Sequence, residues 1–273
     1  MRNLTRIARI ALLLLLAGVA SGSRSESIVL IPGYLGDGDN WRDSGVTPLL
    51  ERSGWGDGGH LDVRQGWVQG RGGGSDRGRR FLTLTLDSQA PLLYQEAQLS
   101  AVLQLVQRRF PEEHMVLVGH SAGGVLGRLY MVRHPDTPVR ALITIASPHL
   151  GTDKAELGMM AGQSPLGLIA GLLGAETLNR SQGLYFDLAR EYPGNLLYWL
   201  NRQPHPQAYY VSVVRTSNLP LVGDALVPAE SQDMNRVYAL YGRAVRLESG
   251  GAHGLSQEDG ELLVRILRRL GLP

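Results

Sequence analysis

The run Met115-Val116-Leu117-Val118, the pentapeptide Gly119-His120-Ser121-Ala122-Gly123 and the segment Gly124-Val125-Leu126-Gly127-Arg128-Leu129-Tyr130 together restrict the chain more than any other feature. The apolar run reads as a buried strand, and the segment after it as the start of a helix. Between them lies G-x-S-x-G, the pattern of a tight strand-to-helix turn that thrusts a serine hydroxyl out of the fold. A side chain at either flanking glycine would clash with the neighbouring backbone. The turn also places Ser121 near a helix N-terminus, whose free N–H groups favour developing negative charge. In a chain with 35 glycines the pentapeptide alone is a weak signal. The strand before it and the helix after it supply the context that gives it meaning. A serine so placed calls for an acid and a histidine downstream, in that order.

A chain of 273 residues, 43% of them hydrophobic, can hold one large α/β domain with a well-buried core. Residues 1–22 read separately. Arg2, Arg6 and Arg9 form a positive region, residues 10–20 an apolar one with five consecutive leucines, and small residues follow. That is the layout of a secretory signal peptide, with cleavage after Ala20 or Gly22; the alternative is an uncleaved anchor. Export to the periplasm or the medium is therefore expected. The chain has no cysteine, so its core alone must hold the fold. Removing three of the 27 basic residues with the leader leaves the remainder near neutral against 25 acidic ones. No basic helix or aromatic-interleaved basic strand supports nucleic-acid binding, and none is expected.

Residues 27–31 form a short apolar strand that runs into Pro32-Gly33-Tyr34-Leu35-Gly36, and a helix is expected over 46–52. The glycine-rich stretch 54–80 carries Arg64, Arg71, Arg77, Arg79 and Arg80 and reads as a flexible surface insertion, or else a mobile flap over an anionic or sugar-like group. Residues 80–86 alternate with period two and predict a strand. Leu92, Leu99, Val102, Leu103 and Val106 share one face of a helix over 92–110. A strand over 139–146 follows the helix at 125–133, and strands alternating with helices imply a mostly parallel sheet. The alternation breaks over about 151–207. The soft apolar runs 157–161 and 166–173 there read as helices packed on the sheet, or as a cap or lid whose apolar underside meets a lipid-like substrate. Strands at 209–214 and 245–248 and a closing amphipathic helix at 258–270 complete an α/β domain over 27–273.

The acid is expected just past a late strand. Asp224, in Gly223-Asp224-Ala225-Leu226-Val227-Pro228, suits a carboxylate buried behind an imidazole; Asp233 is its competitor, with a solvated loop charge as its plain reading. The base is expected after the last strand, where His253 sits in Gly250-Gly251-Ala252-His253-Gly254-Leu255. His149 precedes both acids, which is the wrong order, and is read as structural; His120 is read as packed beside the turn. The backbone N–H groups of Ala122 and Tyr34 are the candidate donors to an oxyanion, with Gly33 allowing close approach.

These pieces, with Ala146-Ser147-Pro148-His149-Leu150-Gly151-Thr152 after the strand that follows the serine, make the chain resemble an α/β-hydrolase of the bacterial triacylglycerol-lipase and esterase branch. The likeness spans most of the chain beyond residue 22. It implies an α/β-hydrolase fold, a mostly parallel central sheet flanked by helices with a helical cap insertion, and hydrolysis of small-molecule or lipid carboxylic esters with no organic cofactor. Ser121 would attack, His253 take its proton and Asp224 orient the imidazole. The cap would touch a lipid interface transiently. Relatives often have His-Gly where this chain has Pro32-Gly33, and often hold the histidine loop with calcium, for which no clear pair of aspartates stands out. Three other readings remain at this stage: an amidase, a deacylase of lipid-linked glycans, and a non-catalytic lipid-binding or chaperone module.

Overall fold

The computed structural model describes residues 25–64, 66–75, 78–153, 180–216 and 224–272. The leader at 1–22 and the apolar runs at 157–161 and 166–173 lie outside them. Eight strands form one sheet: β1 (Glu26–Ile31), β2 (Gly56–Arg64), β3 (Trp67–Arg71), β4 (Arg79–Thr85), β5 (His114–His120), β6 (Val139–Ile145), β7 (Tyr209–Arg215) and β8 (Ala244–Ser249). They lie in the order β3-β2-β4-β1-β5-β6-β7-β8, and every neighbouring pair is parallel except β2 and β3. The helices are α1 (Asp39–Asp43), α2 (Val46–Arg52), α3 (Leu92–Arg109), α4 (Ala122–Arg133), α5 (Gln182–Leu188), α6 (Leu196–Leu200), α7 (Ala229–Gln232) and α8 (Gln257–Arg269).

The period of two along the strands feeds two cores, one on each face of the sheet. Val29 and Ile31 of β1 and Met115 and Leu117 of β5 pack with α3, α4, α5 and α6. Their alternates Ile28, Leu30, Val116 and Val118 pack with Trp41 of α1, Val46 and Leu50 of α2, and Leu263 and Ile266 of α8. The expected face of α3 is buried as read from its spacing. This is the mostly parallel, helix-flanked α/β sheet that the sequence implied. Ligand sites in such sheets form beyond the carboxyl ends of the strands. Here the loops after β1, β5, β7 and β8 emerge at that edge.

The stretch 54–80 corrects the sequence reading. Much of it is an antiparallel pair, β2 and β3, at the edge of the sheet rather than a flexible insertion. Glycine lowers strand propensity, which hid β2. The reason for glycine there is a register shift between Asp57 and His60, where Gly59 has φ +104° and a Cβ would strike the Gly72 carbonyl. Asp57 pins the bulge to α1 by accepting two bonds from the Arg42 guanidinium, at 2.7 and 3.1 Å. Over 180–207 the structure has short helices and a single bridge, Thr152 to Ala189, in keeping with the expected break in the strand pattern.

At the opposite, amino-terminal edge, the Arg80 guanidinium donates to both oxygens of Glu113, at 2.7 and 2.8 Å, and Ser27 Oγ donates to the same carboxylate at 2.7 Å. The Arg80 and Glu113 side chains are 3% and 8% exposed, so neither charge can be satisfied by water. Truncating one member of such a pair leaves the other charge buried and uncompensated. Glu113→Ala should therefore lose about 3–5 kcal/mol of unfolding free energy, read from urea melts. A loss under about 1 kcal/mol, the size of an exposed ion pair, would contradict the role given to this pair.

Candidate active site

β5 runs directly into α4 through Ser121, whose backbone sits at φ +51°, ψ −126°. Only three non-glycine residues described have positive φ. A Cβ on Gly119 would strike the Gly124 backbone, and one on Gly123 would lie 2.6 Å from the Ile31 carbonyl. The glycines flanking the serine are thus places where backbone meets backbone, as the motif required. The Ser121 amide donates to the Ile145 carbonyl at 2.9 Å, which ties the turn to β6.

The three side chains chosen from the sequence lie in one line. Ser121 Oγ is 2.9 Å from His253 Nε2, and His253 Nδ1 is 2.8 Å from Asp224 Oδ2. An ionised carboxylate only accepts, so His253 Nδ1 carries the proton and Nε2 is left to accept from the serine hydroxyl. Asp224 Oδ1 accepts from the Leu226 and Val227 amides at 2.8 and 3.0 Å. Its side chain is 1% exposed. Burial pushes its pKa up, but the His253 hydrogen bond, the imidazole's charge and the two amides outweigh this and hold it below the usual aspartate value. The carboxylate stays charged where its partner needs it.

The loop after β1 crosses over the serine. A Cβ on Gly33 would lie 2.9 Å from Ser121 Cβ, so only glycine lets the loop pass this close. Among the described residues the Tyr34 and Ala122 amides donate to no acceptor. Tyr34 and Ser121 line the same cavity, and Ala122 follows the serine at the first position of α4. The Tyr34 hydroxyl donates to Ser181 Oγ at 2.9 Å and meets the Tyr185 hydroxyl at 2.8 Å, which anchors the loop to α5. A cavity of about 420 Å³ opens here, a size usual for small-molecule sites. Leu35, Trp41, Leu226 and Leu255 give it apolar walls, and Asn40, Asp43 and Ser44 a polar side.

The rivals fall elsewhere. Asp233 accepts from the Asn235 amide at 2.9 Å and faces Arg246 at 3.5 Å, away from His253. At 6% exposed it is a buried turn-capping acid, not the solvated charge expected. His149 is fully buried against Thr144 Oγ1, and its amide donates to the Ser231 carbonyl at 2.8 Å. It braces the acid-bearing loop, as a structural residue should. His120 packs beside the turn as expected, and its Nε2 donates to the His253 carbonyl at 2.9 Å. Gln232 is a supporting residue that the sequence reading missed. Its Nε2 donates to Asp224 Oδ2 at 3.0 Å and to the Val227 carbonyl at 2.7 Å. A lone glutamine eight residues past the acid carries no pattern that would single it out. Among the described residues no group of three histidine, aspartate or glutamate side chains could hold a metal ion.

Burial leaves several histidines neutral. It pushes His120 down to about 3, helped by the His253 charge, and His205 down to about 3, helped by Arg128; His149 falls well below 6.5 for the same reasons. The unfolded chain takes up these protons as pH drops through 6.5, whereas the folded chain refuses them until about 3. Stability should therefore be full above that upper value and be lost on the acid side, by up to about 1.4 kcal/mol per pH unit for each histidine. Urea melts at pH 7, 6 and 5 should show a falling midpoint; a midpoint flat over that range would contradict the buried neutral state.

A palmitoyl protein thioesterase family model matches residues 85–214, a little under half of the chain. No curated protein sequence matches. Among solved structures, a Listeria innocua gene product is similar at 16% identity and TM-score 0.59, covering 90% of this chain and 91% of that one. A Bacillus licheniformis lipase in its mature form is similar at 16% identity and TM-score 0.51, covering 92% and 93%. A Pyrococcus furiosus esterase is similar at 11% identity and TM-score 0.55, covering 90% and 82%. At these identities the likeness is one of fold. The sheet order, the strained serine turn between β5 and α4 and these neighbours give the chain an α/β-hydrolase fold similar to that of bacterial esterases.

Proposed function

We propose that the protein is an exported serine hydrolase that cleaves carboxylic esters of apolar acyl groups through an acyl-enzyme. The observation that carries this reading is the line from Ser121 Oγ through His253 to the buried Asp224. His253 Nε2 removes the serine proton as Oγ attacks the acyl carbonyl. Asp224 holds the imidazole in the required tautomer and stabilises the imidazolium. The Tyr34 and Ala122 amides take the negative oxygen of the tetrahedral intermediate, each worth about 2.7–4 kcal/mol. His253 returns the proton to the leaving alkoxide. Water, deprotonated by the same nitrogen, then releases the acid.

The thioesterase family match favours a second reading of the same machinery, in which the leaving group is a thiolate. No comparable observation favours an amide, a lipid-linked glycan or a non-catalytic role. The apolar walls beside Ser121 suit an acyl chain, and the insertion over about 151–207 is the segment proposed to meet a lipid surface. Export rests on the leader-like segment 1–22.

A fluorophosphonate probe should label the wild-type protein at Ser121 and leave Ser121→Ala unlabelled; labelling that persists in Ser121→Ala would overturn the assignment. Asp224→Asn should keep the fold and lower kcat on p-nitrophenyl esters by about 10⁴. Matched oxygen and sulfur esters of graded chain length separate the esterase and thioesterase readings by their kcat/KM.

A further inference from the structure

Arg215 closes β7 and lies outside the relay, yet it is bonded toward both the acid and the base. Its backbone amide donates to Gln232 Oε1 at 2.8 Å, and the same glutamine donates to Asp224 Oδ2. Its guanidinium reaches the other way, into the loop that carries His253. One terminal nitrogen donates to Ser249 Oγ at 2.8 Å and to the Gly250 carbonyl at 3.3 Å. The other donates to the Gly254 carbonyl at 3.1 Å and to Asp259 Oδ2 at 2.7 Å. The Arg215 and Asp259 side chains are 1% and 0% exposed, so the pair is sealed from water. Asp259 also accepts from the Ser256 amide at 2.8 Å, which fixes the first turn of α8 immediately after the loop.

The loop needs such a clamp. It contains Gly250, Gly251 and Gly254, and Gly251 sits at φ +96°. A chain this rich in glycine has little conformational preference of its own. The guanidinium grips it on both sides of His253, at residues 249–250 and at residue 254. A planar fork that donates in several fixed directions suits this task; an ammonium does not reproduce that geometry.

We propose that Arg215 is a positioning residue that sets His253 against both Ser121 and Asp224, with Asp259 as its counter-charge and Gln232 as its link to the acid. This rests on the ester-hydrolase reading for its kinetic consequence, but not for its geometric one. Misplacement of a reacting group by about 1 Å can cost on the order of 100-fold in rate.

Two variants and three readouts test it. Arg215→Lys keeps the charge facing Asp259 but cannot span the loop. Arg215→Gln combined with Asp259→Asn removes both charges, so no lone ion is left buried. For each full-length variant, kcat and KM on p-nitrophenyl butyrate, the fluorophosphonate labelling rate at Ser121 and the low-field proton resonance of the His253–Asp224 hydrogen bond are measured. In both variants kcat and the labelling rate should fall by about 10- to 100-fold, with KM within about twofold and the resonance lost or broadened. A folded variant with kcat and resonance like the wild type would overturn the proposal and leave Arg215 a stabilising residue alone. If the neutral double variant does not fold, Arg215→Lys decides by the same criteria. If the wild type takes no label at Ser121, the ester-hydrolase reading fails, and the resonance alone decides whether Arg215 positions His253.

Discussion

Ser121 holds a backbone conformation, φ +51° and ψ −126°, that residues with side chains avoid, at a cost on the order of 1–3 kcal/mol. The conformation persists because β5 and α4 are packed into place on either side of it. Val116, Leu117 and Val118 are fully buried in β5, as are Val125 and Leu129 in α4. Neither element can move to relieve the turn without opening a core. The glycines at 119 and 123 let the chain fold back against itself and against the loop after β1. From this one strained residue follow the aim of the hydroxyl toward His253 and the free amide of Ala122 at the start of α4.

The remaining parts of the site are loops, and their order comes from buried polar groups rather than from apolar packing. Asp224 is fixed by two amides and by Gln232. The His253 loop is held by Arg215 and Asp259 on one side and by His120 on the other, where His120 donates to the His253 carbonyl. In water such bonds would contribute little each. Shielded from it, they are strong when satisfied and costly when broken, which makes them suited to fixing one geometry. The parallel sheet supplies the frame by delivering β1, β5, β7 and β8 to the same edge.

The relay was legible because it is written in local patterns and in chain order. An apolar run, a G-x-S-x-G turn and a helix mark Ser121. Asp224 and His253 then follow in the loops after late strands. Gly33 could be read as a place of close approach for the same reason. What escaped was either masked by composition or made by contacts distant in sequence. β2 contains three glycines and so resembles a loop, although its pairing with β4 on one side and β3 on the other makes it a strand of the sheet. Gln232 and Arg215 have no sequence signature, because their roles arise from partners brought together by the fold. Asp233 looked like a surface charge because nothing in its immediate neighbours announces Arg246, thirteen residues on.

The central claim is that Ser121 becomes acylated on the way to products. Intact-protein mass spectrometry of the enzyme quenched in acid milliseconds after mixing with excess p-nitrophenyl ester reads this directly. The expected result is a mass increase of one acyl group, mapped by peptide analysis to Ser121, that disappears as substrate is exhausted. Turnover at the same rate with no adduct, or with an adduct on another residue, would contradict it.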